Sequence, residues 1–282
     1  MDIIQTAADF LSWRKNNADT LGLVPTLGAL HEGHFSLVRS SKNTCTLTVV
    51  SIFLNPTQFA AHEDLDSYPN TLDEDIKNLK ALQIDVLFLP TKEQMYNKVA
   101  AVLVPPSDLF NKLEGSSRPH FFDGVTTIVA KLFNVIQPSH TFFGEKDAQQ
   151  LYVIEEMIAN MHYPITLIPC PTIRDAHGLA LSSRNQYLSK IERVSASIIY
   201  KSLMHMKDCL HHGQSNAMLL KTTFINMIND VPNMTVDYIS IASAKNLEDV
   251  ETVGPEKILI STAVYFNKVR LIDNFTYLSS AI

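Results

Sequence analysis

LGLVPTLGALHEGH, residues 21–34, reads as three pieces in a row. A short apolar strand (Leu21–Thr26) runs into a glycine-bearing turn, and a helix starts near the second histidine. A helix start presents unpaired backbone N–H groups and the positive end of the helix dipole, which suits a phosphate. Gly28 and Gly33 let the backbone come close to a ligand. His31 and His34, three residues apart, are within reach of one polyphosphate, and each can donate a hydrogen bond or a proton near neutral pH. The same residues also read as an ordinary strand–turn–helix with a satisfied pair of surface histidines. Zinc lacks a third ligand here: no Cys or His cluster lies nearby, and His62 follows a separate loop.

Working outward, strand-like and helix-like segments alternate. Strands are expected at 21–26, 47–54, 86–89, 140–143 and 165–169. Helices are expected at 35–41, 72–82, 125–136 and 148–161. This alternation predicts a parallel sheet covered on both faces, with ligands beyond the carboxyl ends of its strands. After about residue 180 the pattern becomes helices (191–211, 216–228) followed by strands (236–242, 257–266, 268–272), which suggests a smaller α+β domain. The boundary is placed near residues 175–184, giving domains 1–178 and 179–282. No repeat or low-complexity segment interrupts the chain.

Composition limits the function classes. The chain has 282 residues, 46% apolar and 18% charged, an ordinary globular balance with room for one or two domains. A formal net charge of −6 argues against a general nucleic-acid surface, though not against a local basic pocket for a small anion. Cys45, Cys170 and Cys209 are odd in number and widely spaced, so a reducing, cytoplasmic setting is expected. Residues 1–13 lack the basic and apolar regions of a signal peptide, and no apolar run approaches the roughly 20 residues of a membrane span.

Three more segments carry chemistry. In SIFLNPTQF (51–59) an apolar strand stops at Asn55-Pro56, and Gln58 can hold a hydroxyl or carboxylate. In FFGEKDAQQ (142–150) a strand ends in Gly144 and Glu145, and Lys146 can neutralise phosphate oxygens. There Asp147 can meet a ribose hydroxyl, Mg²⁺ or the lysine itself, and Gln150 lies one helical turn in. In IRDAHGLALSSRN (173–185) Ser182, Ser183 and Arg184 offer two hydroxyls and a guanidinium, a set that suits an ATP triphosphate and its leaving pyrophosphate. Each segment alone also reads as a helix cap, a turn or a solvated loop. The polar loop 115–124 and the acidic run Glu63-Asp64, Asp66, Asp73-Glu74-Asp75 read first as solvated surface, the latter with Mg²⁺ binding as a second reading.

Taken together and in this order, PTLGALHEGH (25–34), SIFLNPTQF (51–59), EDLDSYP (63–69), FFGEKDAQQL (142–151) and LALSSRN (179–185) resemble the pantoate–β-alanine ligase family over essentially the whole chain. That family lies within the nucleotidyltransferases bearing an HxGH signature, here His31-Glu-Gly-His34. The resemblance implies a Rossmann-like doubly wound sheet with a C-terminal α+β lid domain. It also implies an ATP-dependent ligase that condenses (R)-pantoate with β-alanine through pantoyl adenylate, releasing pyrophosphate and AMP. Leu27, Gly28, Ala29, Leu30, His31, Glu32, Gly33 and His34 would hold ATP, with His34 matching the family's proton donor. Gly144, Glu145, Lys146 and Asp147 would also bind ATP, Lys146 on phosphate and Asp147 toward the ribose. Ile173, Leu181, Ser182, Ser183 and Arg184 would complete the nucleotide site, and Gln58 and Gln150 would contact pantoate, Gln58 later β-alanine. The catalytic set would be His31, His34, Lys146, Ser182, Ser183 and Arg184. Mg²⁺ would ride on the phosphates with help from Glu74 or Asp75, no protein metal site is implied, and a homodimer is expected.

Three positions depart from the family pattern. Leu27 replaces methionine at similar volume. Asn70 replaces arginine. His120 stands where glycine is usual and Phe121 where histidine is usual. Two other readings of the motifs remain open at this point: a nucleotidyltransferase acting on a phosphorylated substrate, and a nucleotide-binding module without catalysis. Gln58 and Gln150 favour a carboxylate substrate over a phosphate, which would want more cations. The retained His31, His34, Lys146, Ser182, Ser183 and Arg184 favour catalysis.

Overall fold

The computed structural model describes residues 1–60, 63–96 and 108–279, so His62 lies outside the described residues. The element order is β1 (Asp2–Ile4), α1 (Ala7–Lys15), β2 (Leu21–Thr26), α2 (Glu32–Thr44), β3 (Leu47–Ile52), α3 (Leu72–Ala81), β4 (Val86–Phe88), α4 (Lys92–Met95), α5 (Leu113–Ser117), α6 (Phe121–Ile136), β5 (His140–Gly144), α7 (Ala148–Asn160), β6 (Thr166–Cys170), α8 (Lys190–Ala196), α9 (Ile198–His211), α10 (Ala217–Asn229), β7 (Met234–Ser243), β8 (Ile258–Phe266) and β9 (Val269–Tyr277). Contacts divide the chain into a first unit (1–110, 118–145, 149–171) and a second (111–117, 146–148, 172–282).

The first unit is built on a six-stranded parallel sheet, ordered β1-β4-β3-β2-β5-β6. Its strands are apolar on both faces, as burial on both sides demands. Leu23, Val49, Val86 and Phe88 enter one core with Phe10 of α1, residues of α6 and Val153 and Met157 of α7. Val24, Val50 and Leu87 alternate to the other face and pack on Leu37 and Val38 of α2 and Leu79 of α3. The chain winds β2–β3–β4 outward in one direction and β5–β6 in the other. The topological switch point therefore lies between β2 and β5, where open α/β sheets bind ligands. The β2–β5 ladder runs only through Gly22↔His140 and Leu23↔Thr141. Pro25, which has no N–H to give, sits past that ladder in an otherwise central strand.

The second unit carries a three-stranded antiparallel sheet, β7-β8-β9, packed on α9 and α10 through Leu203, Met206, Leu220, Phe224, Ile241, Ile260 and Val264. Four expectations shift. The 191–211 helix is broken at Ser197, which is buried and whose hydroxyl donates to the Val194 carbonyl at 2.6 Å, competing with the helical ladder. Helix α2 begins at Glu32 rather than residue 35, and α6 at Phe121 rather than residue 125. The last strand, expected at 268–272, runs on to Tyr277 through Asp273-Asn274. The chain also has β1 and α1, whose Thr6 caps the helix by accepting from the Asp9 amide.

Candidate active site

The loop leaving β2 is shaped by backbone conformation and by one buried carboxylate. Gly28 has φ +93°, where a side chain would be strained, and Ala29 follows at φ 51°. Asp75, 1% exposed in the first turn of α3, accepts from the Leu30 amide at 2.9 Å and from the Thr71 hydroxyl at 3.1 Å. Burial holds its carboxyl above the ordinary range, against the opposing pull of the Leu30, Thr71 and Ala29 donors. One oxygen of this carboxylate, Oδ1, thus holds the loop that ends in His31. Glu74, its neighbour, is exposed.

The two histidines build the N-terminus of α2. His31 is the N-cap, with φ −140° and ψ 177°, and its Nδ1 accepts from the Gly33 amide at 3.1 Å. His34, at the third helical position, reciprocates: its Nδ1 accepts from the His31 amide at 3.3 Å. This is a capping box made of imidazoles, with ring centroids 4.2 Å apart. A backbone amide only donates, so each Nδ1 is the unprotonated nitrogen and each ring carries its proton on Nε2. Both rings are thereby held as neutral Nε2–H donors at the positive end of a helix dipole, at the carboxyl edge of the sheet. Glu32 on the same turn is exposed and paired with Arg39.

Beyond β3, Gln58 is oriented by a residue that the sequence reading passed over. Asn55 is fully buried, and its Oδ1 accepts from the Thr57 amide and hydroxyl and from Tyr96 Oη (3.4, 2.9 and 2.7 Å). Its Nδ2 must then be the donor, to Gln58 Oε1 at 3.0 Å and to the Gly124 carbonyl at 3.1 Å. With Oε1 engaged, Gln58 presents its NH₂, a donor face for a carboxylate or hydroxyl oxygen. Gly124 is required here: a Cβ would stand 2.6 Å from the Thr57 carbonyl carbon and 2.7 Å from the Gln58 nitrogen. The signal for Asn55 was the strand-ending Asn-Pro, which marked the stop without showing its burial.

Within the neighbouring acidic run Asp66 is exposed, as a solvated surface requires, but Glu63 is not. Glu63 forms a bidentate pair with Arg118 (2.6 and 2.7 Å), whose guanidinium also reaches the Gln58 carbonyl at 3.2 Å. Phe121, in the family's histidine position, lies under that guanidinium, 3.8 Å from ring centroid to Cζ. His120 adopts φ 66°, so the glycine of the family pattern is replaced by histidine at a left-handed position.

At the end of β5, Gly144 has open space around it, and a 3-10 turn, Glu145–Asp147, leads into α7. Lys146 Nζ lies 3.2 Å from Asp147 Oδ2. Gln149 is buried and donates to the Leu109 carbonyl at 2.6 Å, which leaves Gln150, half-buried, as the glutamine of this turn with access to solvent. In the second unit a hairpin closes through the Leu181 amide to the Ile173 carbonyl at 2.9 Å. It turns on Gly178 at φ +99°, where a Cβ would meet the Tyr200 ring at 2.6 Å. Ser182 caps the 3-10 turn Ser183–Tyr187 by accepting from the Arg184 amide at 3.3 Å, so its oxygen serves the turn while its proton remains a donor. Ser183 is buried and Arg184 half-buried.

The structure thus gathers Leu27–His34, Gln58, Gly144, Glu145 and Gln150 in the first unit, and Lys146, Asp147, Ile173 and Leu181–Arg184 in the second. In the first unit the loops after β2, β3 and β5 leave the same edge of adjacent parallel strands. Among the described residues no helix is long and apolar enough to cross a membrane.

Comparison with known proteins decides the family. The family model described as pantoate-beta-alanine ligase matches residues 2–276. The chain belongs to the pantoate–β-alanine ligase family. A pantothenate synthetase of Acetivibrio thermocellus is 42% identical over 277 residues, covering 97% of this chain and 98% of its own. The pantothenate synthetase structure from Thermus thermophilus superposes with a TM-score of 0.91 at 36% identity, over 98% of this chain and 99% of that one. A Francisella tularensis pantoate-beta-alanine ligase, solved with beta-gamma ATP and beta-alanine, gives 0.81 at 35% identity over 98% and 97%. A pantoate–β-alanine ligase is an enzyme of pantothenate biosynthesis that condenses pantoate and β-alanine with ATP. Membership sets aside the binding-module reading and the reading as a transferase to phosphorylated substrates.

Proposed function

We propose that this chain makes pantothenate in two steps on one nucleotide site. The observation that carries the reading is the imidazole capping box at the start of α2, beyond the carboxyl end of β2 and beside the switch point. In the first step a pantoate carboxylate oxygen attacks the α-phosphorus of ATP. The bond from that phosphorus to the bridging oxygen breaks, and pyrophosphate leaves. In the second the β-alanine amine attacks the acyl carbon, the bond to the adenylate oxygen breaks, AMP leaves, and the amine loses a proton. A carboxylate is a poor electrophile, and attaching AMP makes it a good one.

No enzyme nucleophile is needed. Charge builds on the transferring phosphoryl oxygens and on pyrophosphate, so preorganised donors and positioning are the resource. We assign His31 and His34 to that charge as Nε2–H donors, with Leu27–Leu30, Glu32 and Gly33 forming the backbone cradle. Gly144, Glu145, Lys146 and Asp147 also hold ATP, Lys146 on phosphate and Asp147 toward the ribose, with Ile173, Leu181, Ser182, Ser183 and Arg184. Gln58 offers its NH₂ to pantoate and later to β-alanine, and Gln150 contacts pantoate. ATP enters as its Mg²⁺ complex. A homodimer is part of this proposal, carried over from the family resemblance, and a cytoplasmic setting is supported by the free Cys45, Cys170 and Cys209.

Incubation with pantoate, β-alanine and MgATP tests the reaction. Equal amounts of pantothenate and AMP are expected; formation of ADP and phosphate instead would overturn an adenylate route.

A further inference from the structure

Lys146 is a flexible side chain on a short turn, and its usefulness depends on what fixes that turn. The residue that reaches it comes from more than a hundred positions further along the chain. Asn274 of β9 donates from Nδ2 to the Lys146 carbonyl at 2.8 Å. Its neighbour Asp273 is 3% exposed and occupies the core-facing row of β9 with Leu271 and Tyr277, an unusual place for a carboxylate. The charge there is answered by Arg174, which approaches in a bidentate fork at 2.5 and 2.8 Å. Arg174 also donates to the Gly178 carbonyl at 3.2 Å and stacks over Tyr200 at 4.0 Å, so it holds the hairpin whose outgoing arm leads into Ser182–Arg184. Asp273 Oδ1 accepts from the Asn274 amide at 2.8 Å, tying the two residues together. Adjacent strand residues project to opposite faces, so one dipeptide reaches two segments.

We propose that Asp273-Asn274 is a positioning pair, Asp273 fixing the Ile173–Leu181 hairpin through Arg174 and Asn274 aiming Lys146 by holding its carbonyl. Neither residue is proposed to touch substrate. The inference rests on the assignment of Lys146 to the phosphates, and its test separates the two.

The test is a double-mutant cycle of Asn274→Leu, which keeps the branched side-chain skeleton but has no donor, with Lys146→Ala. It is read as MgATP affinity by calorimetry, beside the pantoate KM and thermal midpoint. Asn274→Leu should weaken MgATP roughly tenfold in the wild-type background, with the pantoate KM and the midpoint unchanged. In the Lys146→Ala background it should change affinity less than about twofold. An equal loss in both backgrounds, or none in the wild type, would overturn the pair's role while leaving Lys146 in place. Unchanged affinity in Lys146→Ala alone would instead remove Lys146 from the phosphates. If Asn274→Leu does not fold, Asn274→Ala carries the same cycle, and loss of folding in both would make the pair purely structural and overturn the proposal.

Discussion

His34 has two jobs in this structure, and two substitutions separate them. Its Nδ1 closes the capping box on the His31 amide at 3.3 Å, and its Nε2–H is the donor assigned to the nucleotide. His34→Ala removes both. The cap bond is long, so its loss should cost about 0.5–1 kcal/mol, the lower part of the range for capping residues. That corresponds to roughly 1–2 °C in thermal midpoint for a chain of this size. Loss of one preorganised donor to a developing charge should cost roughly 10²–10³ in rate. His34→Gln behaves differently. Glutamine at the third helical position can accept from the N-cap amide through Oε1 and still present an NH₂. It should restore the midpoint and recover at least about tenfold of the rate lost in His34→Ala. The assays are differential scanning fluorimetry and pyrophosphate exchange at saturating MgATP and pantoate. A His34→Gln enzyme as stable as wild type but as slow as His34→Ala would refute the reasoning. The ring would then be moving a proton, which the geometry assigns against, because protonating Nδ1 breaks the cap.

Gly124→Ala forces a methyl into the Thr57–Gln58 backbone; it should cost about 1–3 kcal/mol and raise the pantoate KM, and unchanged values of both would contradict the close approach. His120→Gly should raise stability by up to about 1 kcal/mol, since relief of the left-handed strain outweighs the added chain entropy; a lower thermal midpoint would count against it. The Asp75 carboxyl is raised by burial, so the folded state holds its proton more tightly than the unfolded chain. Its contribution therefore favours folding at low pH and turns unfavourable as pH rises from the unfolded carboxylate range through the folded one. Urea unfolding between pH 4 and 7 should show wild type losing stability relative to Asp75→Asn as pH rises, and parallel pH curves would refute it.

The parts of the fold that the sequence made legible were those with local causes. Strands β2, β3 and β5 are apolar runs stopped by glycine or Asn-Pro, and the chemistry-bearing residues sit where those runs stop. Residues with distant causes were not legible. Asp75 looked like surface because it lies in an acidic run, and only the loop 45 residues earlier shows why it is buried. Asp273-Asn274 fell outside the expected last strand, 268–272, because its partners, Arg174 and Lys146, are far back in the chain. Asn55 read as a strand stop, while its fixed amide, which decides how Gln58 faces a ligand, depends on Tyr96 and Gly124. The early start of α2 escaped because histidine is not a usual N-cap, and here two of them cap each other.

The central claim is that this chain activates pantoate as an adenylate, and pantoate-dependent exchange of labelled pyrophosphate into ATP, with Mg²⁺ and without β-alanine, tests it most directly. Exchange that needs pantoate and is abolished by its omission is expected. Folded, ATP-binding protein that gives no exchange under these conditions would contradict it.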